Sequence, residues 1–205
     1  MKILEKTISA QGREILLKGG ESAKNILVIG VFHGDEPQGE FLIENYLQYN
    51  DSNLLFIPCL NPDGMALGVR TNFHGVDLNR NFPTKNWELT EKNEFYGGEK
   101  PSSEIETQFL VKIIEKYNPK LILTLHAPFK VVNYDGDARE ISEKISEIIK
   151  YPVEASIGYP TPGSFGTYAG VERNIKTVTL ELDEECPVED LICLLYTSDA
   201  ADDKA

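Results

Sequence analysis

Three apolar runs of this sequence end in side chains that could bind a metal or move a proton. His33 and Glu36 stand three positions apart in GVFHGDEPQGE, directly after the first run. His126 closes a second run, LILTLH, and Glu181 lies near the end of a third, TVTLEL. Two imidazoles and a carboxylate, with one position left for water, are the ligand set of a catalytic zinc site. The sequence therefore predicts that His33, Glu36 and His126 bind one Zn²⁺ ion.

Each of these residues also has a simpler interpretation. The pair His33 and Glu36 fits a solvated loop, because the HxxE spacing is common, and His126 fits a buried histidine with satisfied hydrogen bonds. Their shared position favours the metal, since ligands of an open α/β sheet bind outside the carboxyl ends of its strands. Independent placement would scatter such side chains over both sheet edges and the helices.

Glu181 is the candidate general base. It is flanked by Leu180 and Leu182, and a carboxylate embedded in an apolar strand should have a raised pKa, which suits it to take a proton from water. A carboxylate that faces solvent at the end of the strand is the alternative. The neighbouring residues 183–185 are interpreted as a solvated acidic turn.

A polar segment at residues 70–83, RTNFHGVDLNRNFP, supplies candidate binding groups. Asn79 and Arg80 offer amide and guanidinium donors suited to a substrate carboxylate, although most surface arginines are simply solvated. Asp77 could accept the free ring N–H of a ligating histidine. His74, the third histidine, lies beside a glycine in the same segment and is predicted not to bind the metal.

The elements that must position these groups alternate along the chain. Short apolar runs at 26–32, 54–60, 121–126 and 177–182 predict strands covered on both faces. Helical patterns occupy 39–49, 103–117 and 137–152. The helix at 103–117 is predicted to begin with a capping box from Ser103 to Glu106, and Pro152 is expected to end the last helix. Residues 2–18 predict an antiparallel edge hairpin. Residues 83–102 show no clear periodicity and predict a binding loop or disorder. The fold class is α/β, a single domain with a mixed, mostly parallel twisted sheet flanked by helices.

Bulk composition narrows the partners and the location. The formal net charge of −13 argues against nucleic acid and against an anionic membrane surface as the main partner. No stretch approaches the roughly 20 apolar residues of a membrane span, and the first residues do not resemble a signal peptide, so a cytoplasmic location is expected. The three cysteines, Cys59, Cys186 and Cys193, form no CxxC pair and indicate neither a disulfide framework nor a thiolate zinc site.

In order along the chain, His33/Glu36, Arg70, DLNRNF at 77–82, His126 and Glu181 resemble the pattern of the zinc carboxypeptidase family. NPDG at 61–64, GVDLNRNFP at 75–83 and GYPTPGSFGTYAG at 158–170 are similar to its bacterial branch of murein peptide amidases. The resemblance implies hydrolysis of the bond between γ-D-glutamate and diaminopimelate in small murein peptides during recycling. It implies that Arg70 stabilises the oxyanion, that Asn79 and Arg80 bind the terminal carboxylate, and that Tyr159 caps the substrate.

Two other functions stay open at this point. A deacylase of the aspartoacylase or succinylglutamate desuccinylase type shares HxxE and the NR pair, and a non-catalytic metal- or peptide-binding module is the other possibility. The sequence leaves the oligomeric state open. Since the expected substrate is anionic, we expect Arg70, Arg80 and the metal to make the pocket locally positive.

The last residues are treated separately. Residues 193–205, CLLYTSDAADDKA, resemble a translated sequencing-library adapter. We therefore expect a zinc peptidase domain at 1–192, truncated at its C-terminal end, followed by a non-native tail at 193–205.

Overall fold

An eight-stranded mixed sheet organises the molecule. The computed structural model describes residues 1–20, 25–49, 54–155, 158 and 160–191. The strands are β1 (Lys2–Ile8), β2 (Glu14–Gly19), β3 (Ile26–Ile29), β4 (Leu55–Ile57), β5 (Leu121–His126), β6 (Val131–Asp135), β7 (Val153–Glu154) and β8 (Lys176–Glu181). The helices are α1 (Gln38–Tyr49), α2 (Pro62–Leu67), α3 (Ile105–Tyr117), α4 (Arg139–Ile149) and α5 (Val188–Leu191), with a 3₁₀ turn at Leu78–Arg80 and a π-helical turn at Thr167–Val171.

The strand order, β1-β2-β4-β3-β5-β8-β6-β7, places the chemically important strands side by side. β4, β3, β5 and β8 are parallel neighbours, whereas the β1–β2 hairpin adds antiparallel strands at one edge and β6 pairs antiparallel with β8. The register sets His126 beside Glu181 at the carboxyl ends of β5 and β8. The α/β class and the largely parallel centre of the sheet are thus confirmed.

Both faces of the sheet are covered by apolar side chains, which explains the continuous apolar runs of the central strands. On one face, Leu27 and Ile29 of β3 pack with Phe109 and Ile113 of α3 in one buried cluster. On the other face, Val28 belongs to a second cluster that includes residues of α1 and α4. Alternate residues of one strand therefore serve two core layers.

Several local expectations are corrected by the structure. The capping box of α3 is wrong: Glu104 occupies the cap position without a side-chain cap bond, and the Ser103 hydroxyl donates to the Glu104 carboxylate (2.6 Å). α4 ends at Ile149, earlier than predicted, because Lys150 adopts a left-handed conformation (φ 64°) before Pro152 is reached. The sequence did not predict α2, β6 or β7. Residues 83–102 contain neither helix nor strand, as expected.

In the described part of the chain, every helix is too short or too polar to span a bilayer.

Candidate active site

His33, Glu36 and His126 converge on one point at the carboxyl ends of the central strands. Nδ1 of His33 lies 2.7 Å from Oε1 of Glu36, and Nδ1 of His126 lies 2.9 Å from Oε2 of Glu36. One ligand atom from each residue lies within 4.8 Å of the others, and all three side chains are buried. A tetrahedral ion with bonds of about 2.0–2.1 Å needs ligand atoms about 3.4 Å apart. The donor set and its spacing therefore fit a zinc ion.

The turn that carries His33 and Glu36 is held by close backbone packing. A Cβ atom built at Gly34 would collide with the backbone of Gly64 in α2, so only glycine allows this approach. Just before the turn, the buried Val31 has a φ of 53°, a conformation that is costly for a β-branched residue. Its carbonyl accepts a hydrogen bond from the backbone N–H of Asn61 (3.0 Å). Tertiary packing thus fixes the direction in which the chain leaves β3.

α2, which supports this turn, is itself tied to the edge hairpin. The Asp63 side chain is fully buried and accepts hydrogen bonds from the Ser9 hydroxyl (2.8 Å), the Gln11 backbone N–H (3.0 Å) and the Arg13 guanidinium (2.7 Å). Asp63 directly precedes Gly64, the residue that Gly34 approaches. It therefore connects the β1–β2 turn to the turn that carries His33 and Glu36.

Electrostatics in the metal site are dominated by neighbouring charges. Burial alone would lower the pKa of His33, but the carboxylates of Glu36 and Asp77 outweigh it and raise this pKa to about 9. Burial would raise the pKa of Glu36, yet the two imidazoles hold it well below its usual range. The carboxylate of Glu36 is therefore ionised at neutral pH, as a metal ligand requires.

Asp77 connects the metal site to Arg70. Its Oδ1 lies 3.3 Å from Nε2 of His33, and its Oδ2 accepts from Nε of Arg70 (3.0 Å) and lies 2.9 Å from a terminal guanidinium nitrogen. The Asn79 backbone N–H also donates to Oδ1 (2.8 Å). The structure brings Asp77 to the position predicted for it, behind the ring of a candidate ligand.

Glu181 lies beside this cluster and is poorly satisfied. The side chain is buried, and within the described residues its Oε2 atom has no hydrogen-bond partner. Burial raises its pKa, and His126 counteracts this only in part. A carboxylate with one unpaired oxygen and a raised pKa, next to candidate metal ligands, is suited to accept and return a proton.

The two candidate arginines share an aromatic neighbour that the sequence did not single out. The guanidinium carbons of Arg70 and Arg80 lie 5.2 and 5.9 Å from the ring centroid of Phe95, which belongs to the long loop at 83–102. Arg80 is buried and donates to the backbone carbonyl of Asn79 (2.7 Å). Oδ1 of Asn79 accepts from the backbone N–H of Phe165 (2.8 Å), which fixes its amide group.

Two other predicted residues stand apart. His74 is more than half exposed and lies 2.7 Å from a carboxylate oxygen of Glu104, outside the group formed by His33, Glu36 and His126. Tyr159 lies outside the described residues.

A cavity of about 140 Å³ opens beside His126 and Glu181. Side chains from β5, β6 and β8 and from the segment 161–166 line it: Asn79, Thr124, His126, Asn133, Asp135, Ala155, Thr161, Ser164, Phe165, Gly166, Thr179 and Glu181. Among these lining residues two are carboxylates and none is lysine or arginine; Arg80 lines a neighbouring cavity. Arg70 and Arg80, which were expected to make the pocket positive, therefore do not line this cavity, and the positive pocket stays a prediction.

Comparison with known sequences gives consistent matches. Residues 2–151 match the sequence profile of the family Peptidase_M14, described as zinc carboxypeptidase. Murein peptide amidase A of Escherichia coli (strain K12) is 33% identical over 175 residues, which cover 78% of this chain and 72% of that protein. The catalytic chain of human carboxypeptidase N is 31% identical over 147 residues, 53% of this chain and 32% of the relative.

Solved structures give the same picture of the fold. Murein-tripeptide amidase MpaA from Escherichia coli O157 superposes with a TM-score of 0.83 at 28% identity, covering 94% of this chain and 88% of that chain. Thrombin-activatable fibrinolysis inhibitor reaches a TM-score of 0.72 at 19% identity, over 99% of this chain and 70% of its own, a likeness of fold alone.

Proposed function

Because this chain belongs to the zinc carboxypeptidase family, a family of hydrolases, we propose that it cleaves the γ-D-glutamyl–diaminopimelate bond of murein peptides, or a related C-terminal amino acid bond. The observation that carries this proposal is the convergence of three candidate zinc ligands. Beside them lies Glu181, whose Oε2 atom has no hydrogen-bond partner among the described residues. Such a set is the arrangement expected for metal-assisted hydrolysis.

The metal part of the proposal assigns one zinc ion per chain to Nδ1 of His33, the carboxylate of Glu36 and Nδ1 of His126. When bound, zinc polarises the scissile carbonyl and acidifies a water molecule. The Asp77 carboxylate lies 3.3 Å from Nε2 of His33, where its negative charge favours this orientation of the ring.

The chain's own proton carrier is Glu181. Its carboxylate takes a proton from the attacking water while the water oxygen bonds to the carbonyl carbon. It then gives that proton to the amide nitrogen as the C–N bond breaks and the electron pair leaves with the amine. Burial raises the pKa of this carboxylate, which suits it to hold the proton between these two steps. Arg70, oriented by Asp77, offsets negative charge that develops on the substrate carbonyl oxygen, a contribution on the order of 3 kcal/mol per donor.

Substrate positioning is assigned to the residues around the cavity. We assign the terminal carboxylate of the substrate to Asn79 and Arg80, whose orientations are fixed by Phe165 and Phe95 respectively. Tyr159 is proposed to close over the bound substrate.

The murein substrate is supported by two relatives whose names state it. Murein peptide amidase A of Escherichia coli is 33% identical, and the amidase structure from strain O157 has a TM-score of 0.83. We place this activity in the cytoplasm, on small released peptides during peptidoglycan recycling. Fractionation of the native host with an antibody to the chain tests the location.

The test of function is a substrate panel with zinc-loaded protein. It contains L-Ala-γ-D-Glu-diaminopimelate, an α-linked peptide with a C-terminal amino acid, and N-succinylglutamate. We expect cleavage of the first; cleavage of N-succinylglutamate alone would indicate the deacylase, and no turnover a binding module.

The same panel tests the general base. Glu181→Gln should lower kcat by about 10²–10⁴-fold with the zinc content unchanged. Glu184→Gln, a matched change at an exposed neighbour, should have no effect. Full activity of Glu181→Gln would remove Glu181 from its role.

A further inference from the structure

The backbone of Arg80 is in close contact with glycines from two different loops. A Cβ atom built at Gly163 would lie 2.2 Å from the Arg80 carbonyl oxygen, and one built at Gly97 would lie 2.6 Å from the same oxygen. Only a residue without a Cβ atom allows so close an approach. Gly97 belongs to the long loop at 83–102 and Gly163 to the segment at 160–166, so both loops contact the Arg80 carbonyl.

The two residues that follow Arg80 hold these glycines in place. The side-chain amide of Asn81, which is fully buried, donates to the carbonyl of Gly97 (2.7 Å). The backbone N–H of Phe82 donates to the carbonyl of Gly163 (2.9 Å). Both glycines and both donors are buried. A loop that moved away from Arg80 would therefore leave a buried polar group without its partner, which is costly.

Trp87, the sole tryptophan of the chain, packs against both glycines. A Cβ atom at Gly163 would lie 2.8 Å from Cδ1 of its ring, and one at Gly97 would lie 3.3 Å from Nε1. Nε1 also donates to the Gly97 carbonyl (3.4 Å), and the neighbouring Asn86 accepts from the Gly163 N–H (3.3 Å). The indole ring thus joins the two loops, and we name Gly97, Gly163 and Trp87 the glycine clamp.

The Arg80 side chain lies against a cavity that the same two loops enclose. This cavity has a volume of about 370 Å³ and is lined by Arg80, by Phe95 and Gly97 of the long loop, and by two prolines of the segment 160–162. Arg80 is buried and donates to the carbonyl of Asn79 (2.7 Å), so its guanidinium group follows its own backbone closely. A shift of the backbone at residue 80 would therefore move the guanidinium group relative to this cavity.

We propose that Gly97, Gly163 and Trp87 are positioning residues: the glycine clamp holds the backbone of Arg80 so that its guanidinium group meets the terminal carboxylate of the substrate. This inference rests on the proposed function for the identity of that carboxylate. A planar guanidinium group forms two parallel hydrogen bonds with a carboxylate in only one relative orientation. Since a misplacement of about 1 Å can cost about 10²-fold in rate, the backbone that carries the group must be fixed.

The test compares L-Ala-γ-D-Glu-diaminopimelate with the derivative amidated at the carboxylate next to the scissile bond. For the zinc-loaded wild type we expect kcat/KM to favour the acid by about tenfold or more, as for hydrogen bonds to a charged group. Gly163→Ala and Gly97→Ala should lower this acid-to-amide ratio by about tenfold, with the zinc content unchanged. Because inactive protein lowers both rates equally, the ratio does not respond to a loss of folded protein.

Gly12→Ala is the matched control. Gly12 and Gly163 have φ values of 80° and 72°, so alanine is strained at both positions, but a Cβ atom at Gly12 meets no atom within 4 Å. This variant should keep the wild-type ratio. In an Arg80→Ala background, Gly163→Ala should lower the ratio no further, because the clamp acts through this arginine. A further fall would contradict the proposal.

A second variant and a second measurement do not depend on turnover or on an added Cβ atom. Trp87→Leu removes the ring without a collision, and metal-free protein is titrated with N-acetyl-alanine and N-acetyl-alaninamide. The wild type should bind the acid more tightly, and Trp87→Leu should lose this preference. An unchanged preference in Trp87→Leu and Gly163→Ala, or equal binding of the two compounds by the wild type, would overturn the inference. Loss of the preference in the variants, with no peptide cleaved by the wild type, would refute the murein function and leave the clamp in its role.

Discussion

The two ends of the active-site cavity are built by neighbouring strands, but their acidic groups are satisfied differently. At the metal end, Glu36 and Asp77 contact imidazole and guanidinium groups, and their pKa values lie well below the usual range. At the opposite end, burial raises the pKa of Asp135, and no described side chain compensates it. Glu36 and Asp77 are therefore satisfied without substrate, whereas Asp135 and one oxygen of Glu181 are left without a partner among the described residues. Changes at the metal end should affect all substrates equally.

The largest effect is expected from removing a candidate metal ligand. His126→Ala should abolish zinc binding and hydrolysis of every substrate, because only two ligands remain. Zinc content by mass spectrometry and turnover measure this. His74→Ala changes the exposed third histidine and should leave both unaffected. Full zinc occupancy in His126→Ala would break the assignment of the metal end.

Zinc affinity should depend strongly on pH. The metal-free protein holds a proton on His33 below its pKa of about 9, and a ligating nitrogen must lose that proton. Affinity should therefore rise with pH, by up to about tenfold per unit between pH 6 and 8, with release of about one proton. Competition with a chelator and calorimetry in buffers of different ionisation enthalpy measure these quantities. A zinc affinity that does not change with pH would show that Asp77 and Glu36 do not stabilise the protonated ring of His33.

Asp77 contacts both His33 and Arg70, so replacing it tests whether these two residues depend on one carboxylate. Asp77→Asn should lower zinc affinity or activity by about 10–100-fold, because it weakens the support of both His33 and Arg70. The loss should be the same for peptide acids and for their terminal amides. A loss confined to the acids would contradict the assignment of Asp77 to the metal end.

The smallest effect concerns the aromatic contact of the long loop. Phe95→Ala should raise KM by about two- to fivefold with little change in kcat, since an exposed cation–π contact contributes about 0.5–1 kcal/mol. Phe73→Ala provides the control, because Phe73 is similarly exposed and contacts His74 instead. An unchanged KM would show that Phe95 does not hold Arg70 and Arg80.

The difference between strands buried on both faces and a strand that lines the cavity explains which strands could be predicted from the sequence. Central strands such as β5 were predicted because burial on both faces makes them continuously apolar. β6 was missed because its cavity face carries Asn133 and Asp135 while Val132 and Tyr134 join the core, so that no apolar run is left. β7 has only two residues, too few for a pattern.

Within the site, residue type decided which groups could be found. His33, Glu36 and His126 were identified because they follow apolar runs predicted to end at one edge of the sheet, where ligands of open α/β sheets bind. Phe95 sits in a loop without periodicity, and Asp135 precedes a glycine as turn residues often do. The place of Asp135 in the cavity arises from the register of β6 against β8 and from two glycines distant in sequence, which no local pattern records.

The bonds from Asp63 to the first hairpin have a thermodynamic consequence. They join the outermost strand pair to α2, whose backbone touches the turn of His33 and Glu36. Opening of the hairpin and release of zinc are thereby linked equilibria: an ion bound to the native state should slow amide hydrogen exchange in β1 and β2.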